Sequence, residues 1–549
     1  MTSKSRDEHT ISFRFGGGVH TRASEDQIDP RECTNGSENF ILDPGNGEFR
    51  PRPPFDLIGT APNGSEIRGF ATLLKTDGTT SLLVQAGDTV YEVSSTFTFT
   101  SRGTVSASAK LRGGLDAQWT LTDKVIITDI NLAEEIQEWD GTTLAQTTFT
   151  TDGSTAFGTF RAKYCYVENE RAFFGNLHDN GTDSPHLLVG AKRGDFTVIS
   201  TAVRPADGNG ATDAWFLPMP QLRPINGIAS GFGIIAVSQE QGAFEKITGT
   251  TAKDYALVKF FRGSGAAGAE SVISTGNDII YGRTGRLESL KSTEKFGDVQ
   301  IDDPSFKISD QVKDTTSWTV HYNQRLHRVY AFASGGSEVW VADTDMMGSA
   351  EPLGAKTQGP GISPWMKWTT QHSLAFQPTA SMVGYDPLDK LEYLFMGDST
   401  GKVYRMEGSG TSGDGGTTDI KAVRRSGQFS PPVDAKMFRL SGWVKSRKKL
   451  ANTLTLRLLW SGEHVHNVVK TVTLPAVTFS PVWNGTGTTA MYWGSTGGTD
   501  YWNAEFEDRL IRNLWTGTGM GNDLQIEAEI EGVNDFAIAE IGIRFDAAS

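Results

Sequence analysis

The amino-acid sequence predicts an all-β protein: a degenerate β-propeller of about seven blades, followed by a C-terminal β-sandwich and preceded by an extended N-terminal arm. A unit made of an apolar run, a polar turn and an alternating strand recurs along most of the chain, and this pattern is typical of β-hairpins. Glycine is frequent, with 62 residues, and aromatic residues make up 10% of the chain. No helical periodicity of any length competes with the strand pattern.

The recurring hairpin is clearest in Tyr393–Gly408, YLFMGDSTGKVYRMEG. Its first arm is apolar on both faces, so it must be covered from both sides. Six further copies precede it, at Leu82–Val93, Val125–Gly141, Tyr164–Leu177, Gly233–Lys246, Asp278–Leu290 and Arg328–Asp343. Their starts lie 39 to 69 residues apart, and the shorter spacings match a four-stranded blade. We therefore expect a propeller over residues 62–408 with each hairpin in a separate blade.

The N-terminal region, residues 1–61, is expected to be an extended arm. Phe13 and Phe15 alternate with polar residues as in a strand. The prolines between Pro44 and Pro54 exclude a regular interior strand there. The arm is therefore expected to pack on the C-terminal sandwich or on a neighbouring subunit.

Part of this arm resembles a known family. The residues that carry the resemblance are, in order, Gly17, Gly18, Val19, Pro30, Glu32, Asn39, Gly47, Arg52, Pro53 and Pro54. Their order is similar to the opening of the tail nozzle proteins of short-tailed double-stranded DNA bacteriophages, and it covers roughly Gly17–Phe55. The resemblance implies a propeller after the arm, a β-rich C-terminal region, and a hexameric ring below the portal and its adaptor protein.

The C-terminal part begins after a glycine-rich run, residues 409–418, which is expected to be a linker. Successive alternating segments in residues 419–549 predict the β-sandwich. Between two of them, Trp483, Trp493 and Trp502 lie in a polar, glycine-rich stretch. Such tryptophans suit a subunit interface or a sugar-binding surface, and the alternative is that they pack on the sandwich.

Charge and cysteine content exclude several classes of protein. The net charge of -14 and the pI near 5.2 argue against a surface that grips nucleic acid, because phosphate contacts need clustered Lys and Arg. Two cysteines cannot form a disulfide framework. The N-terminus has no apolar signal region, and no stretch is long and apolar enough to span a bilayer. Assembly in the cytoplasm of a host cell is therefore expected.

No pattern in the sequence predicts catalysis. Glycoside hydrolysis in a propeller needs two facing carboxylates, and the chain has no grouped acidic motif. No clustered Cys and His spacing indicates a metal site. We therefore expect no enzymatic activity, no cofactor and no metal.

The functional prediction that follows is a structural protein of the virion tail, the nozzle or hub ring through which the genome is ejected. Its expected partners are identical copies, the portal adaptor protein, tail fibres or spikes, and double-stranded DNA that passes without specific binding. The alternatives are a host-recognition protein that binds surface polysaccharide, or a propeller glycosidase. The residues expected at an assembly interface are Phe13, Phe15, Arg52, Trp483, Trp493 and Trp502.

Overall fold

The structure, a computed structural model, describes residues 7–14, 17–24, 27–29, 32–43, 48–151, 155–205, 214–231, 233–249, 253–261, 265–276, 278–292, 299–333, 336, 338–347, 362–369, 378–408, 414, 420–429, 436–448, 452–461, 468–474, 511–521, 523–531 and 536–548. The contacts between residues divide the chain into two compact units. The propeller unit consists of Phe55–Thr344 and His372–Gly408. The sandwich unit consists of Met1–Pro54, Asp345–Gln371 and Ser409–Ser549.

Strands dominate both units. In chain order they are β1 (Asp7–Arg14), β2 (Phe40–Asp43), β3 (Glu48–Pro51), β4 (Asp56–Thr60), β5 (Ile67–Leu74), β6 (Thr80–Ala86), β7 (Thr89–Val93), β8 (Phe99–Thr104), β9 (Leu111–Gly113), β10 (Gln118–Trp119), β11 (Lys124–Asp129), β12 (Gln137–Trp139), β13 (Leu144–Gln146), β14 (Phe160–Glu168), β15 (Arg171–Asp179), β16 (Thr182–Gly190), β17 (Trp215–Pro218), β18 (Ile225–Gly231), β19 (Ile234–Gln239), β20 (Phe244–Thr248), β21 (Ala256–Phe261), β22 (Val272–Ser274), β23 (Ile279–Arg283), β24 (Arg286–Ser292), β25 (Val299–Asp302), β26 (Trp318–Asn323), β27 (Arg328–Ala333), β28 (Val339–Asp343), β29 (Trp365–Trp368), β30 (Ala380–Tyr385), β31 (Glu392–Gly397), β32 (Lys402–Arg405), β33 (Lys421–Arg425), β34 (Lys436–Lys448), β35 (Asn452–Ser461), β36 (Val468–Leu474), β37 (Ile511–Gly521), β38 (Asp523–Glu531) and β39 (Phe536–Ala548). Two short helices, α1 (Ser309–Val312) and α2 (Thr344–Met347), interrupt them.

The propeller unit has seven blades, as the hairpin spacing predicts. Blades 1 to 6 begin at β5, β9, β14, β18, β22 and β26, and blade 7 contains β30, β31, β32 and β4. Neighbouring blades contact one another through their first strands, except that blades 2 and 3 meet through β11 and β14. Strand β30 contacts β5, so the blades form a closed ring. Apolar clusters fill the spaces between blades, such as the cluster around Phe160 and Phe174 at the junction of blades 1 to 3. The core therefore lies between the blades.

Five of the predicted hairpins lie in sheets of their own, but the first two share one nine-stranded sheet. The expectation of a separate sheet for each hairpin is wrong for these two, because β5 and β9 form a short parallel pair. Glycine permits this approach: a Cβ on Gly69 would lie 2.3 Å from the backbone oxygen of Leu111. A Cβ on Gly113 would likewise lie 2.8 Å from Cβ of Ala71.

The ring closes with a strand from the N-terminal side of the propeller. Strand β4 pairs antiparallel with β32, the last strand of blade 7. The boundary of the propeller unit therefore lies at 54/55, one strand earlier than the expected 61/62. Residues 345–371, expected within the propeller, belong to the sandwich unit, since β29 hydrogen-bonds to the arm at Val19 and Asn39.

The sandwich unit contains two antiparallel sheets that pack on each other. One has the order β2-β3-β39-β34-β37, with β1 also paired to β39, and the other has the order β33-β38-β35-β36. Strands of the arm are thus built into a C-terminal sheet. Phe13 lies opposite Ile541 and is 4% exposed, as its alternation with polar residues predicts. Strand β37 was not predicted, because its sequence, IRNLWTGTGMG, lacks apolar alternation.

Candidate functional site

A cavity lined by both polar and apolar residues lies at the centre of the propeller unit, where the first strands of all seven blades meet. Its volume of about 400 Å³ falls in the range of small-molecule sites. The charged residues and the histidine that line it are Arg68, Lys110, Arg112, Asp116, Glu270, His321 and Glu392. The cavity therefore combines cations and carboxylates from different blades.

An ion pair crosses this cavity. Lys110 Nζ lies 3.3 Å from Glu270 Oε2. Lys110 precedes the first strand of blade 2, and Glu270 precedes the first strand of blade 5, so the pair joins opposite sides of the ring. Burial raises the pKa of the Glu270 carboxyl, but the charges of Lys110 and Arg112 outweigh burial, and the pKa is lowered. Glu270 is therefore ionised at neutral pH.

Arg112 is a second cation on the same side of the cavity. Its Nη2 lies 3.2 Å from Asp116 Oδ2, and this is the only hydrogen bond of the guanidinium to the described residues. Burial disfavours the charged form, but Asp116 and Glu270 raise the pKa of Arg112 above its usual value. A guanidinium has five N–H donors, and the side chain is 27% exposed. Arg112 therefore has donors left for a ligand.

His321 connects blades 6 and 7. Its Nε2 lies 2.8 Å from Ser381 Oγ. Burial, with the positive charges of Arg112 and Lys110, lowers the pKa of His321 to about 4 despite the opposite effect of Glu270. The imidazole is therefore neutral at pH 7, with one nitrogen as donor and one as acceptor.

Glu392 is a second carboxyl group of interest in the cavity. Its Oε1 accepts a hydrogen bond of 2.6 Å from the Gln324 N–H, and burial raises its pKa above the usual value. The pKa values of Glu270 and Glu392 thus shift in opposite directions, as in acid–base pairs. Glu270 is, however, already engaged by Lys110. The arrangement supports binding of a polar ligand more directly than glycoside hydrolysis, which needs both carboxyl groups at the scissile bond.

A second polar site lies inside the sandwich unit and contains arm residues that carry the family resemblance. The side chain of Arg52 is 1% exposed. Its guanidinium binds both carboxylate oxygens of Asp414, with 2.8 Å to Oδ1. It also donates to the Thr369 carbonyl oxygen and to Asn39 Oδ1, each at 2.9 Å. The charge of Arg52 is thus buried and paired.

Asn39 extends this network, and Glu32 makes a separate contact between the arm and residues 362–369. Asn39 Nδ2 donates to Thr369 Oγ1 at 3.0 Å and to the Lys421 carbonyl oxygen at 3.2 Å. The Glu32 carboxylate accepts the backbone N–H of Ser363. The network therefore joins three stretches that are distant in sequence: the arm, residues 362–369 and strand β33.

The residues predicted at an assembly interface fall into two groups. Arg52 and Phe13 are buried within their own chain, so any effect on assembly acts through the fold of the sandwich unit. The other four predicted residues, Phe15, Trp483, Trp493 and Trp502, lie outside the described residues.

Asp414 is a residue that the sequence analysis missed. It was expected in a glycine-rich linker, yet it is 2% exposed. A single acidic residue between glycines carries no local signal of burial. Its partner, Arg52, is 362 positions away in the sequence. The buried ion pair between the two residues is therefore visible only in the structure.

The described part of the chain contains no group of three or more His, Cys, Asp or Glu residues placed to hold a metal ion. None of its helices has the length and apolarity needed to cross a membrane.

Comparison with known proteins gives structural similarities alone. No protein-family model and no curated protein matches the sequence. Similar solved structures include virginiamycin B lyase from Staphylococcus aureus, with 9% identity, a TM-score of 0.38, and coverage of 64% of this chain and 98% of that chain. The WD40 domain of Pan2 from Neurospora crassa has 9% identity and a TM-score of 0.39, covering 64% and 94% of the two chains. YCF48 from Cyanidioschyzon merolae has 10% identity and a TM-score of 0.36, covering 64% and 98%.

Proposed function

We propose that this chain is a structural subunit of a phage virion, the tail nozzle or hub that forms a ring for genome ejection. The observation that carries the proposal is that the polar side chains of Glu32, Asn39 and Arg52 are buried and hydrogen-bonded, Arg52 to Asn39 and Glu32 to the backbone of Ser363. These are residues of the resemblance to nozzle proteins, and each has a defined structural contact. Satisfied buried polar networks specify one arrangement of the chain. The residues of the resemblance therefore contribute to how the arm folds, as the proposal expects.

In this proposal DNA passes between copies of the chain. The Lys110–Glu270 pair crosses the propeller cavity with a contact of 3.3 Å. A DNA duplex, whose major groove alone is about 12 Å wide, has no passage there. A conduit therefore requires several copies around a common axis, and a ring is the assembly that the resemblance implies.

The acidity of the chain is consistent with passage of DNA without adhesion. The net charge is -14 per chain, and carboxylates that face the lumen of a ring repel phosphates. At cellular ionic strength this repulsion acts over about 8 Å. The proposal therefore requires acidic residues on the lumen surface itself.

The acidic-lumen part of the proposal is tested by titrating a labelled DNA duplex with the assembled protein at physiological salt and following fluorescence anisotropy. We expect no saturable binding at micromolar protein, the range in which non-specific DNA-binding proteins begin to bind. Tight binding that weakens steeply with salt would contradict it, because such binding needs clustered cations.

A further inference from the structure

We propose that the propeller cavity binds a small hydroxylated monocarboxylic acid of the hexuronic acid class, with its carboxylate at Arg112 and its hydroxyl groups at Ser381 and His321. This inference concerns the interior of a single chain and does not depend on the proposed ring.

The carboxylate subsite is defined by two cations with donors to spare. Arg112 lies in strand β9 and Lys110 immediately precedes this strand, and both residues line the cavity. Each makes one side-chain hydrogen bond to the described residues, to Glu270 and Asp116 respectively. Lys has three donors and Arg has five. A carboxylate is the natural partner of a guanidinium with two free N–H groups.

The charge of the ligand is limited by the carboxylates already present. Asp116 lies 3.2 Å from Arg112, and Glu270 lies 3.3 Å from Lys110. An added anion near the cations is also near these two negative charges. These two cations and two carboxylates carry no net charge, so they do not attract a dianion more strongly than a monoanion. The cost of removing an anion from water rises steeply with its charge, so a monoanion fits better than a phosphate dianion.

The hydroxyl groups of the ligand are inferred from the other side of the cavity. His321 is bonded to Ser381 through Nε2, and its Nδ1 makes no hydrogen bond within the described part of the chain. Ser274 and Thr275 line the same cavity. Each of these groups makes a hydrogen bond within the chain and keeps further donor or acceptor capacity. Sugar hydroxyls both donate and accept and can use this capacity, whereas an apolar acid cannot. The cavity volume of about 400 Å³ accommodates one sugar ring.

The test is isothermal titration of the full-length chain with D-glucuronate, using D-glucose and inorganic phosphate as comparison probes. We expect saturable glucuronate binding. Glucose and phosphate should each bind at least roughly tenfold more weakly than glucuronate. Arg112→Met should weaken glucuronate binding roughly tenfold or more. The matched control is Arg193→Met, because Arg193 forms an exposed ion pair with Glu170 on blade 3, outside the cavity.

Three results would overturn the inference. They are no saturation with glucuronate up to about 10 mM, phosphate affinity equal to that of glucuronate, and unchanged glucuronate affinity in a folded Arg112→Met chain. If Arg112→Met does not fold, Ser381→Ala is the variant to measure. We expect it to bind glucuronate more weakly than the wild type. Unchanged glucuronate affinity in Ser381→Ala would contradict the site.

Discussion

Arg405 and Asp56 join the two ends of the propeller: Nη2 of Arg405 on β32 lies 3.0 Å from Oδ2 of Asp56 on β4. The same guanidinium lies 2.6 Å from Oδ2 of Asp386, whose side chain is fully buried. The ring of Tyr393 packs on it, with 4.8 Å from the guanidinium carbon to the ring centroid. Closure thus combines backbone pairing of β4 and β32 with a buried charge cluster.

Loss of Arg405 should destabilise the propeller strongly. Arg405→Met leaves the buried Asp386 carboxylate without its cation, and breaking a buried pair in this way costs about 3–5 kcal/mol of unfolding free energy. Urea denaturation of the full-length chain measures the loss. Arg193→Met, which removes an ion pair with partners 53% and 50% exposed, should cost less than about 1 kcal/mol. Equal losses in the two variants would contradict the role of Arg405 in closure.

Two N-terminal truncations should differ in their effect on blade 7. Removing residues 1–54 leaves β4 in place, whereas removing residues 1–61 also removes the strand that pairs with β32. We expect amide hydrogen exchange in Lys402–Arg405 to be unchanged by the first truncation and much faster in the second. Similar exchange in both truncated chains would show that β4 does not close the ring.

The Arg52–Asp414 pair should behave as a coupled unit in the sandwich. Arg52→Met leaves the Asp414 carboxylate buried without its main partner, and we expect a loss of about 3–5 kcal/mol. Adding Asp414→Leu should recover much of this loss, because an apolar pair has no buried charge to compensate. A double-mutant cycle from chemical denaturation measures the coupling. Additive losses would mean that the two residues act independently.

His321 should make stability depend on pH between about 4 and 6.5. Its pKa is about 4 in the folded protein, compared with about 6.5 in an unfolded chain. The unfolded state therefore binds more protons in this window, so stability is full above about pH 6.5 and falls as the pH decreases toward 4. Denaturation at several pH values, compared between the wild type and His321→Asn, isolates this contribution. The same slope in both proteins would contradict it.

The propeller could be predicted from the sequence because its hairpins are local. A buried first arm and a tight turn leave a recognisable pattern in adjacent residues, as in Tyr393–Gly408. The structure reveals a further local signal in the sequence, an Asp-x-Thr turn in which the carboxylate accepts the threonine N–H. It occurs at Asp77, Asp140, Asp195 and Asp398.

Contacts between distant segments could not be predicted in the same way. Strand β4, DLIGT, is short and gives no indication of its partner, since Asp56 and Arg405 are 349 positions apart. Arg52 was singled out through the family resemblance, but its burial with Asp414 depends on a fold that brings three segments together. The cavity residues were missed for the same reason, because Lys110, Glu270 and His321 come from three different blades. The contacts between polar residues of different blades form only when the ring of blades is complete, so the sequence alone does not reveal them.

Cryo-electron microscopy of the purified protein, and of a virus particle proposed to contain it, tests the central proposal most directly. The account predicts a closed ring, six copies by the family resemblance, whose lumen is wide enough for a DNA duplex and is lined mainly by Asp and Glu. A chain that is monomeric in both samples, or a ring with a lumen lined by Lys and Arg, would contradict it.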